Sequence, residues 1–413
     1  MLLLLLTATW VRLWRFPDLP PAFNYDESYN VIDALWLWET GSQTVFLPGN
    51  TGRHALFHYL AAPLILLLQN KIFGLRFVSV MMGLLTIALT YRWVATMFAP
   101  AANRYYLGLL ASTGLAFSFW YITLSRSGFR ASLLLLLYVL MAYLFWLGWQ
   151  RKSVAYMAGA GLVLGLSQYT YWLAALLPLQ FGLFALLWSM RGRPDYPLQK
   201  LSGQRRQLWG WIGLMAVTSL LVFIPLGRLY LTDPTILQYL TQSTAGSRVA
   251  GGELSWLNHL GIALRVFFDG PVGLWRGDIV RIWGFDWLMW LGFWGGIVVS
   301  VRRRRQPAYL FLLTGLFVFW LPAPLNDIDF SDLRLPAMLP VHHAISKLRV
   351  AGVLPVYFTL AAIGIWSAVE WVMTRFKWPK SLSVGIIGAF MVVFLVSGGV
   401  NSYNFFVRWP RQP

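Results

Sequence analysis

The sequence predicts an all-α fold, a polytopic transmembrane helical bundle of about 12–13 membrane helices, with interfacial helices in the first external loop. Two observations predict this class. Hydrophobic residues make up 58% of the 413 residues and charged residues only 12%, whereas a soluble globular domain carries about 25% charged residues. Apolar runs of about 18 residues or more recur along nearly the whole chain, and each is long enough to cross a bilayer as a helix.

The apolar segments give the order of the predicted helices. The first, 1–14, is short for a span and lacks the basic region and cleavage site of a signal peptide, so we interpret it as the first helix, with a start that could be clipped. The others lie near 55–70, 75–98, 104–124, 131–149, 154–172, 173–189, 208–231, 283–301, 307–325, 350–373 and 382–400.

The formal net charge of +18 lies mostly in short loops between these segments. Because short basic loops stay on the cytoplasmic side, the strongest of them, 191–206, 302–305 and 375–380, place the connections 232–282 and 326–349 outside. Topology and anionic lipid headgroups account for the charge, and no soluble basic domain is present to bind nucleic acid. We expect a multi-pass protein of the plasma (inner) membrane whose partner is the lipid bilayer, with no nucleic acid.

The first 130 residues do not fit a strict alternation of inside and outside loops. With the amino terminus inside, residues 125–130 fall on the opposite face from the one that the later loops require. Either the segment 104–124 enters the membrane and returns, breaking near Ser112-Thr113-Gly114 where small and polar residues weaken a helix, or one predicted boundary is misplaced. The sequence leaves both alternatives open.

An acidic pair, Asp26 and Glu27, follows the first apolar segment in a chain with only 15 acidic residues. Ionised groups beside a bilayer are costly and commonly functional. Asp26 could also be the N-cap of an interfacial helix that runs from Ser28 to Thr40 and ends at Gly41. Capping and catalysis are compatible, so both stay open.

Basic and aromatic groups are predicted on the same outer face. Arg126 and Arg130 could bind a lipid phosphate, since arginine holds phosphate oxygens bidentately, or could be ordinary interfacial cations. Tyr169 and Tyr171 could contact a substrate or belong to the aromatic belt of a membrane interface. Adjacent histidines such as His342-His343 do not converge on one ion, so no metal site is expected.

Absent motifs exclude other classes of protein. The chain has no cysteine, hence no disulfides and no thiol chemistry. It also has no Walker A sequence, Gly-x-Gly-x-x-Gly turn, Gly-x-Ser-x-Gly elbow or His-Glu-x-x-His helix. No cofactor is expected.

An ordered set of short motifs resembles a known family. The set covers roughly the first 180 residues and consists of Arg12-Leu13-Trp14-Arg15, Leu19-Pro20-Pro21, Asp26-Glu27, Gly52-Arg53-His54-Ala55-Leu56-Phe57-His58-Tyr59-Leu60, Leu75-Arg76-Phe77-Val78-Ser79, Ser125-Arg126-Ser127-Gly128-Phe129-Arg130 and Tyr169-Thr170-Tyr171. The remainder agrees by hydropathy and by 348–355. The pattern is similar to the membrane glycosyltransferases of the GT-C superfamily, in particular bacterial relatives of the protein O-mannosyltransferases and of the aminoarabinose transferase that modifies lipid A.

The resemblance implies an enzyme that takes a sugar from a polyprenyl-phosphate-linked donor on the extracytoplasmic face and passes it to an acceptor, which is unknown. By similarity, Asp26 would be the general base for the acceptor hydroxyl, with Glu27 beside it as the second catalytic residue. A carboxylate suits that role, and the phosphate leaving group needs fixed positive charge. The expected donor phosphate ligands are Arg53, Arg126, Arg130 and Arg349. The expected substrate-binding residues are Tyr25, Tyr29, His54, His58, Tyr59, Tyr169, Tyr171, His342 and His343.

One departure from the family pattern concerns the acidic residues. Relatives often have a second acid at the start of the second helix, where this chain has Arg53-His54. Arg53 could serve the phosphate there instead, and another acid, from 232–282 or 326–349, could take the place of the missing carboxylate. We expect a catalytic transmembrane module over 1–231, including the external loop 15–54, and a C-terminal transmembrane region over 232–413. The alternative function is a transporter or flippase of lipid-linked sugars, although the sequence shows no inverted repeat typical of transporters.

Overall fold

The computed structural model describes residues 1–16, 18–20, 25–49, 52–190, 198–236, 264, 287–322, 327–329, 343–345, 347–377, 385, 388, 392, 396, 398–400 and 402–408. Helices dominate these residues. In chain order they are α1 (Leu2–Leu13), α2 (Tyr25–Thr40), α3 (Leu56–Leu67), α4 (Lys71–Met97), α5 (Arg104–Phe117), α6 (Phe119–Arg126), α7 (Ala131–Arg151), α8 (Val154–Ser167), α9 (Leu176–Ser189), α10 (Leu198–Thr232), α11 (Trp287–Arg302), α12 (Pro307–Trp320) and α13 (Leu354–Arg375).

Short 3-10 segments and two small hairpins connect the helices. The 3-10 segments, Trp172–Ala175 and Lys347–Val353, precede α9 and α13, and a π-helical turn covers Asn404–Arg408. The first hairpin pairs β1 (Phe46–Leu47) antiparallel with β2 (Arg53–His54), and the second pairs β3 (Asp327–Asp329) with β4 (His343–Ile345). The predicted all-α class is therefore confirmed.

Five helices among the described residues are long and apolar enough to cross a membrane, namely 71–97, 131–151, 172–189, 205–232 and 350–375. Shorter apolar helices accompany them, including α1, α3, α8 and α12. The structure thus confirms a multi-pass helical membrane protein. The total of about 12–13 membrane helices and the division at residue 231 stay predictions.

The segment predicted to form a hairpin is a bent pair of helices. The break lies at Ser118, beyond the predicted Ser112–Gly114, and α5 and α6 meet there at 64°. The side chain of Ser118 caps α6 by accepting a hydrogen bond from the Tyr121 amide at 3.5 Å. A bent pair of this kind fits either a broken span or a re-entrant loop, so the re-entrant segment stays a prediction.

Close packing of helices builds the body of the bundle. α11 and α13 approach so closely that a Cβ atom on Gly364 would lie 1.9 Å from the Gly292 carbonyl oxygen, and one on Gly296 would lie 1.9 Å from that of Leu360. Small residues four positions apart let helix backbones touch inside a membrane. The large buried core includes residues of α4, α7, α9, α12 and α13, and a separate smaller cluster packs α2 against α3 and α4.

The interfacial helix of the first loop is longer than predicted. α2 begins at Tyr25 rather than Ser28 and ends at Thr40, where Gly41 takes a positive φ of 62°. The end at Gly41 agrees with the sequence interpretation, since glycine adopts that conformation without steric cost. Asp26 lies inside the first helical turn, so the alternative in which it caps a helix starting at Ser28 is wrong.

Candidate functional site

The first turn of α2 places its two carboxylates in different surroundings. Glu27 is buried, whereas Asp26 is half-buried and Tyr25 is exposed. Acidic residues in a first helical turn are favoured by the helix dipole. Only Asp26 of this pair therefore keeps access to solvent.

Glu27 forms a buried, bidentate ion pair with Arg76 of α4. Its Oε1 accepts from Arg76 Nε at 2.9 Å and its Oε2 accepts from Nη2 at 3.0 Å. Oε1 also accepts from the Gly128 amide at 2.9 Å, and Arg76 Nη1 donates to the Pro20 carbonyl at 3.0 Å. The pair joins α2 to α4 and to the turn before α7. The sequence motif around Arg76 was noted for its resemblance, but the residue was given no role.

A second ion pair supplies the acid that the sequence lacked beside Arg53. Asp33 Oδ2 lies 2.8 Å from Arg53 Nη2. Asp33 is seven residues after Asp26, two helical turns along one face of α2, so the second carboxylate comes from α2 itself. Sequence reasoning missed Asp33. The spacing from Asp26 was the available signal, and starting the helix at Ser28 obscured it.

Arg53 lies at the centre of a cluster with both carboxylates. Its guanidinium lies over the Tyr29 ring at 5.0 Å and its Nε donates to the Gly49 carbonyl at 3.2 Å. Burial lowers the pKa of Arg53, and Asp33 and Asp26 oppose that shift. Arg53 thus lies with the predicted site residues, and it is ion-paired with Asp33.

Arg130 faces the same cluster from the start of α7. Its guanidinium lies over the ring of Tyr171 at 5.8 Å. Burial lowers the pKa of Arg130 to about 10, Arg53 lowers it further, and Tyr171, Asp26 and Asp33 act in the opposite direction. The structure therefore brings together Asp26, Asp33, Arg53, Arg130 and Tyr171.

The two predicted histidines of this region are buried beside the cluster. His54 Nε2 lies 2.8 Å from the Tyr230 hydroxyl at the end of α10. Burial, followed by the charge of Arg130, lowers the pKa of His54 to about 3, so its ring is neutral at physiological pH. His58 lies 3.1 Å from the Asn30 side-chain oxygen and 3.8 Å from Asp33. Asn30 and Tyr230 were not predicted.

The remaining predicted tyrosines hold neighbouring elements. The Tyr169 hydroxyl donates to the Val222 carbonyl at 2.7 Å and accepts from the Leu226 amide at 3.3 Å, so it stands between two groups of α10 that would otherwise bond each other. Tyr59 donates to the carbonyls of the first loop at Ser42 and Thr44, both at 2.8 Å. Tyr25 packs against Tyr29, with the ring centroids 4.7 Å apart.

Arg126 lies in a different environment from the one predicted for a phosphate ligand. Nη1 and Nη2 donate to four backbone carbonyls at 2.6–3.2 Å, those of Val11, Arg12, Arg15 and Leu19. The rings of Phe16, Phe405 and Phe406 lie 5.2–5.4 Å from its guanidinium carbon. These contacts are structural. They arise because the carbonyls at the end of α1 need donors and find one in α6.

Three predicted residues fall beyond what can be described. His342 lies outside the described residues, and only the backbone of His343 and Arg349 lies within them. Within the described part of the chain, no group of three or more His, Asp or Glu side chains could hold a metal ion.

We expect the stability of Asp33→Asn relative to the wild type to increase as pH rises. Burial raises the pKa of Asp33, with Arg53 opposing, so the folded state binds this proton more tightly than the unfolded chain does. The stability that Asp33 contributes is then present below its unfolded pKa and lost as pH rises through its folded pKa. Asparagine mimics the protonated acid at every pH, so the variant does not share this loss as pH rises.

Thermal unfolding between about pH 4 and pH 8 measures this difference. Asp18→Asn is the control, because Asp18 is an exposed acid of the same loop, 3.5 Å from Arg15. The loss of the ion pair with Arg53 lowers the stability of the variant at neutral pH, so the test is the change with pH: a stability difference that stays constant or falls as pH rises would contradict the raised pKa of Asp33.

Comparisons with known proteins agree with this architecture at the level of the fold. No protein-family model and no curated protein matches the sequence. Among solved structures, the Archaeoglobus fulgidus oligosaccharyltransferase tethered with an acceptor peptide matches with a TM-score of 0.58 at 13% identity, over 98% of this chain and 54% of that chain. The same enzyme, AglB, in complex with an inhibitory peptide and a dolichol-phosphate gives a TM-score of 0.59 at 13% identity, over 98% and 55%.

ArnT from Cupriavidus metallidurans bound to undecaprenyl phosphate matches with a TM-score of 0.59 at 14% identity, over 88% of this chain and 59% of that chain. The chain therefore spans little more than half the length of the solved structures that it matches. At these identities the likeness concerns the fold, and it confirms the one that the motifs predicted. The chain therefore shares the helical membrane fold of the Archaeoglobus fulgidus oligosaccharyltransferase and of ArnT.

Proposed function

We propose that the protein is a membrane glycosyltransferase that moves a sugar from a polyprenyl-phosphate-linked donor to an acceptor on the extracytoplasmic face. One observation carries the proposal. A half-buried carboxylate, Asp26, lies in the same electrostatic cluster as two arginines, Arg53 and Arg130, at one end of a GT-C fold. Acid and cations in one place suit a base and a phosphate site.

The availability of Arg130 supports a phosphate ligand at this position. In the part of the chain that the structure describes, four arginines have buried side chains, and all four, Arg12, Arg53, Arg76 and Arg126, donate hydrogen bonds to protein oxygens. Within the described residues, Arg130 has no hydrogen-bonded or ion-paired acceptor, only the ring of Tyr171. A half-buried guanidinium with free donors fits a phosphate. Proteins with this fold have been solved with undecaprenyl phosphate and with dolichol-phosphate.

The reaction that we propose is a single displacement. The Asp26 carboxylate takes the proton of the acceptor hydroxyl while the acceptor oxygen bonds to the anomeric carbon. The bond from that carbon to the phosphate oxygen breaks, its electron pair goes to the phosphate, and Arg130 with Arg53 stabilises the charge that develops there. One displacement inverts the anomeric configuration, so a product with retained configuration would exclude this mechanism.

Glu27 has a different part in this proposal from the catalytic role that the resemblance implied. Both of its oxygens accept from Arg76, and one also accepts from Gly128. A carboxylate engaged in this way is a poor proton acceptor for a substrate. We assign Glu27 to holding Asp26 in place.

Arg130→Gln is expected to raise the KM for the donor by about 10- to 100-fold, the range for losing a charge-assisted hydrogen bond to a phosphate. Donor-concentration series measure KM and kcat separately. Arg151→Gln is a matched control, since Arg151 sits at the other end of α7 and lies over the Tyr156 ring at 5.5 Å, as Arg130 lies over Tyr171. Equal KM values for the two variants would remove Arg130 from donor binding.

A deletion strain tests the function as a whole. Analysis of its envelope glycans and glycolipids should show one sugar missing from one acceptor, restored by the wild-type gene, and would name both substrates. The alternative function, a transporter or flippase of lipid-linked sugars, predicts a different result with purified protein. Purified protein in vesicles would then move a labelled lipid-linked sugar between leaflets without releasing free polyprenyl phosphate.

A further inference from the structure

Asn30 is a buried amide of α2, four residues after Asp26, and both ends of its side chain are used. It is 2% exposed. Nδ2 donates to the Gly128 carbonyl at 2.7 Å, while Oδ1 accepts from Arg53 Nη1 at 3.4 Å and lies 3.1 Å from His58 Nε2. A buried amide is tolerated when its polar atoms are satisfied.

The orientation of this amide is fixed by its neighbours. The Gly128 carbonyl can only accept and Arg53 can only donate. If the amide were flipped, its oxygen would face the Gly128 carbonyl oxygen and its NH2 group would face the Arg53 guanidinium, so both hydrogen bonds would be lost. His58 Nε2 must then donate to Asn30, which also fixes its tautomer.

The Nδ2 group of Asn30 holds the backbone segment that carries Arg130. Gly128 lies two residues before Arg130, and α2 holds both polar groups of this residue, since Glu27 accepts from its amide at 2.9 Å and Asn30 donates to its carbonyl. α4 closes the other side, because a Cβ atom on Gly128 would lie 2.3 Å from Leu75 Cδ2. The backbone before Arg130 therefore has one position relative to α2.

The other side of the amide contacts Arg53. Arg53 and Arg130 are like charges in a partly desolvated site, and each disfavours the charge of the other, as the effect of Arg53 on the pKa of Arg130 shows. Two such cations stay close only when the surrounding structure holds both. Asn30 is bonded to one of them and to the segment bearing the other.

We propose that Asn30 is a positioning residue that sets the spacing of Arg53 and Arg130, so that both can bind one phosphate group. This inference rests on the proposed function only for the identity of the ligand, a polyprenyl phosphate. The spacing itself can be tested without substrate.

The binding test uses purified full-length protein in nanodiscs and undecaprenyl phosphate as the probe. Asn30→Leu should weaken binding by about tenfold or more, the scale of one lost charge-assisted contact. Gln180→Leu is the matched control, because Gln180 is also a buried amide and donates to Tyr138 at 3.1 Å on α7. Similar losses of affinity in the two variants, or none in Asn30→Leu, would overturn the proposal.

A second test reads the spacing directly and uses the absence of cysteine from the chain. Cysteine is placed by Arg130→Cys, and its reaction rates with an anionic and a cationic methanethiosulfonate are compared. Arg53 nearby should favour the anionic reagent, and adding Asn30→Leu should reduce that preference severalfold. An unchanged preference contradicts the positioning role. If the wild type binds no undecaprenyl phosphate but the preference falls as expected, the proposed function fails and the positioning role stands.

Discussion

Asp26→Asn is expected to lower the rate of sugar transfer by about 10²–10⁴-fold, the usual contribution of a general base. The amide has the size of the carboxylate but cannot accept the proton of the acceptor hydroxyl. Asp26 is half-buried and lies in the first turn of α2, so the substitution leaves the fold and membrane insertion intact. Transfer of a labelled sugar by purified protein measures the loss.

Separate measurements of kcat and KM make this test more specific. Removing the base should lower kcat while the KM for the donor changes little, because the proposed mechanism assigns the donor phosphate to Arg53 and Arg130. Asp18→Asn is the control, an exposed acid of the same loop that should retain full activity. Unchanged transfer in Asp26→Asn would remove this residue from the mechanism.

Glu27→Gln is expected to reduce the free energy of unfolding by about 3–5 kcal/mol, the cost of breaking a buried ion pair by removing one partner. The glutamine side chain leaves Arg76 charged, buried and without its carboxylate, and weakens the acceptor for the Gly128 amide. Thermal or denaturant unfolding in detergent measures this loss. The Asp26 variant provides the comparison, since it should lose activity with little loss of stability.

A double-mutant cycle separates the pair from its surroundings. Arg76→Met removes the cation, and the combination with Glu27→Leu replaces the ion pair by apolar groups of similar volume. The double variant should be more stable than Glu27→Leu alone, because no charge is left buried without a partner. A single variant with wild-type stability would show that Arg76 finds another acceptor and that Glu27 does not hold α2.

Local patterns of the sequence predicted the helices and the gathering of chemical groups at one end. Hydropathy alone located α4, α7 and α13 to within a few residues, because each buries a continuous apolar run. The contact of Arg130 with Tyr171 and the contact of His54 with the end of α10 bring together elements that loop polarity had placed on one face.

The long-range partners could not be predicted in the same way. Glu27 and Arg76 are 49 residues apart, and Arg126 reaches carbonyls more than a hundred residues before it. No local spacing encodes such pairs. Arg126 and Arg130 are alike in sequence context, yet one satisfies the end of a helix and the other faces the cluster. That difference depends on tertiary packing.

For Asp33, an error in the predicted start of the helix hid the acid that pairs with Arg53. Starting the helix at Ser28 separated Asp26 from the helix that carries Asp33, so their shared face was not visible. The structure starts α2 at Tyr25 and puts both acids on it. A difference of three residues at a helix start, ordinary for sequence-based boundaries, thus decided whether the site had one acid or two.

The bond between Glu27 and Gly128 also concerns the order in which the protein is made. The two residues are 101 positions apart in the chain, and synthesis proceeds at about 5–20 residues per second, so roughly 5–20 seconds separate their appearance at the ribosome. During that interval the acidic turn has no Gly128 amide to bind. The first turn of α2 therefore gains this contact only after the chain has been made to Gly128, just beyond the end of α6.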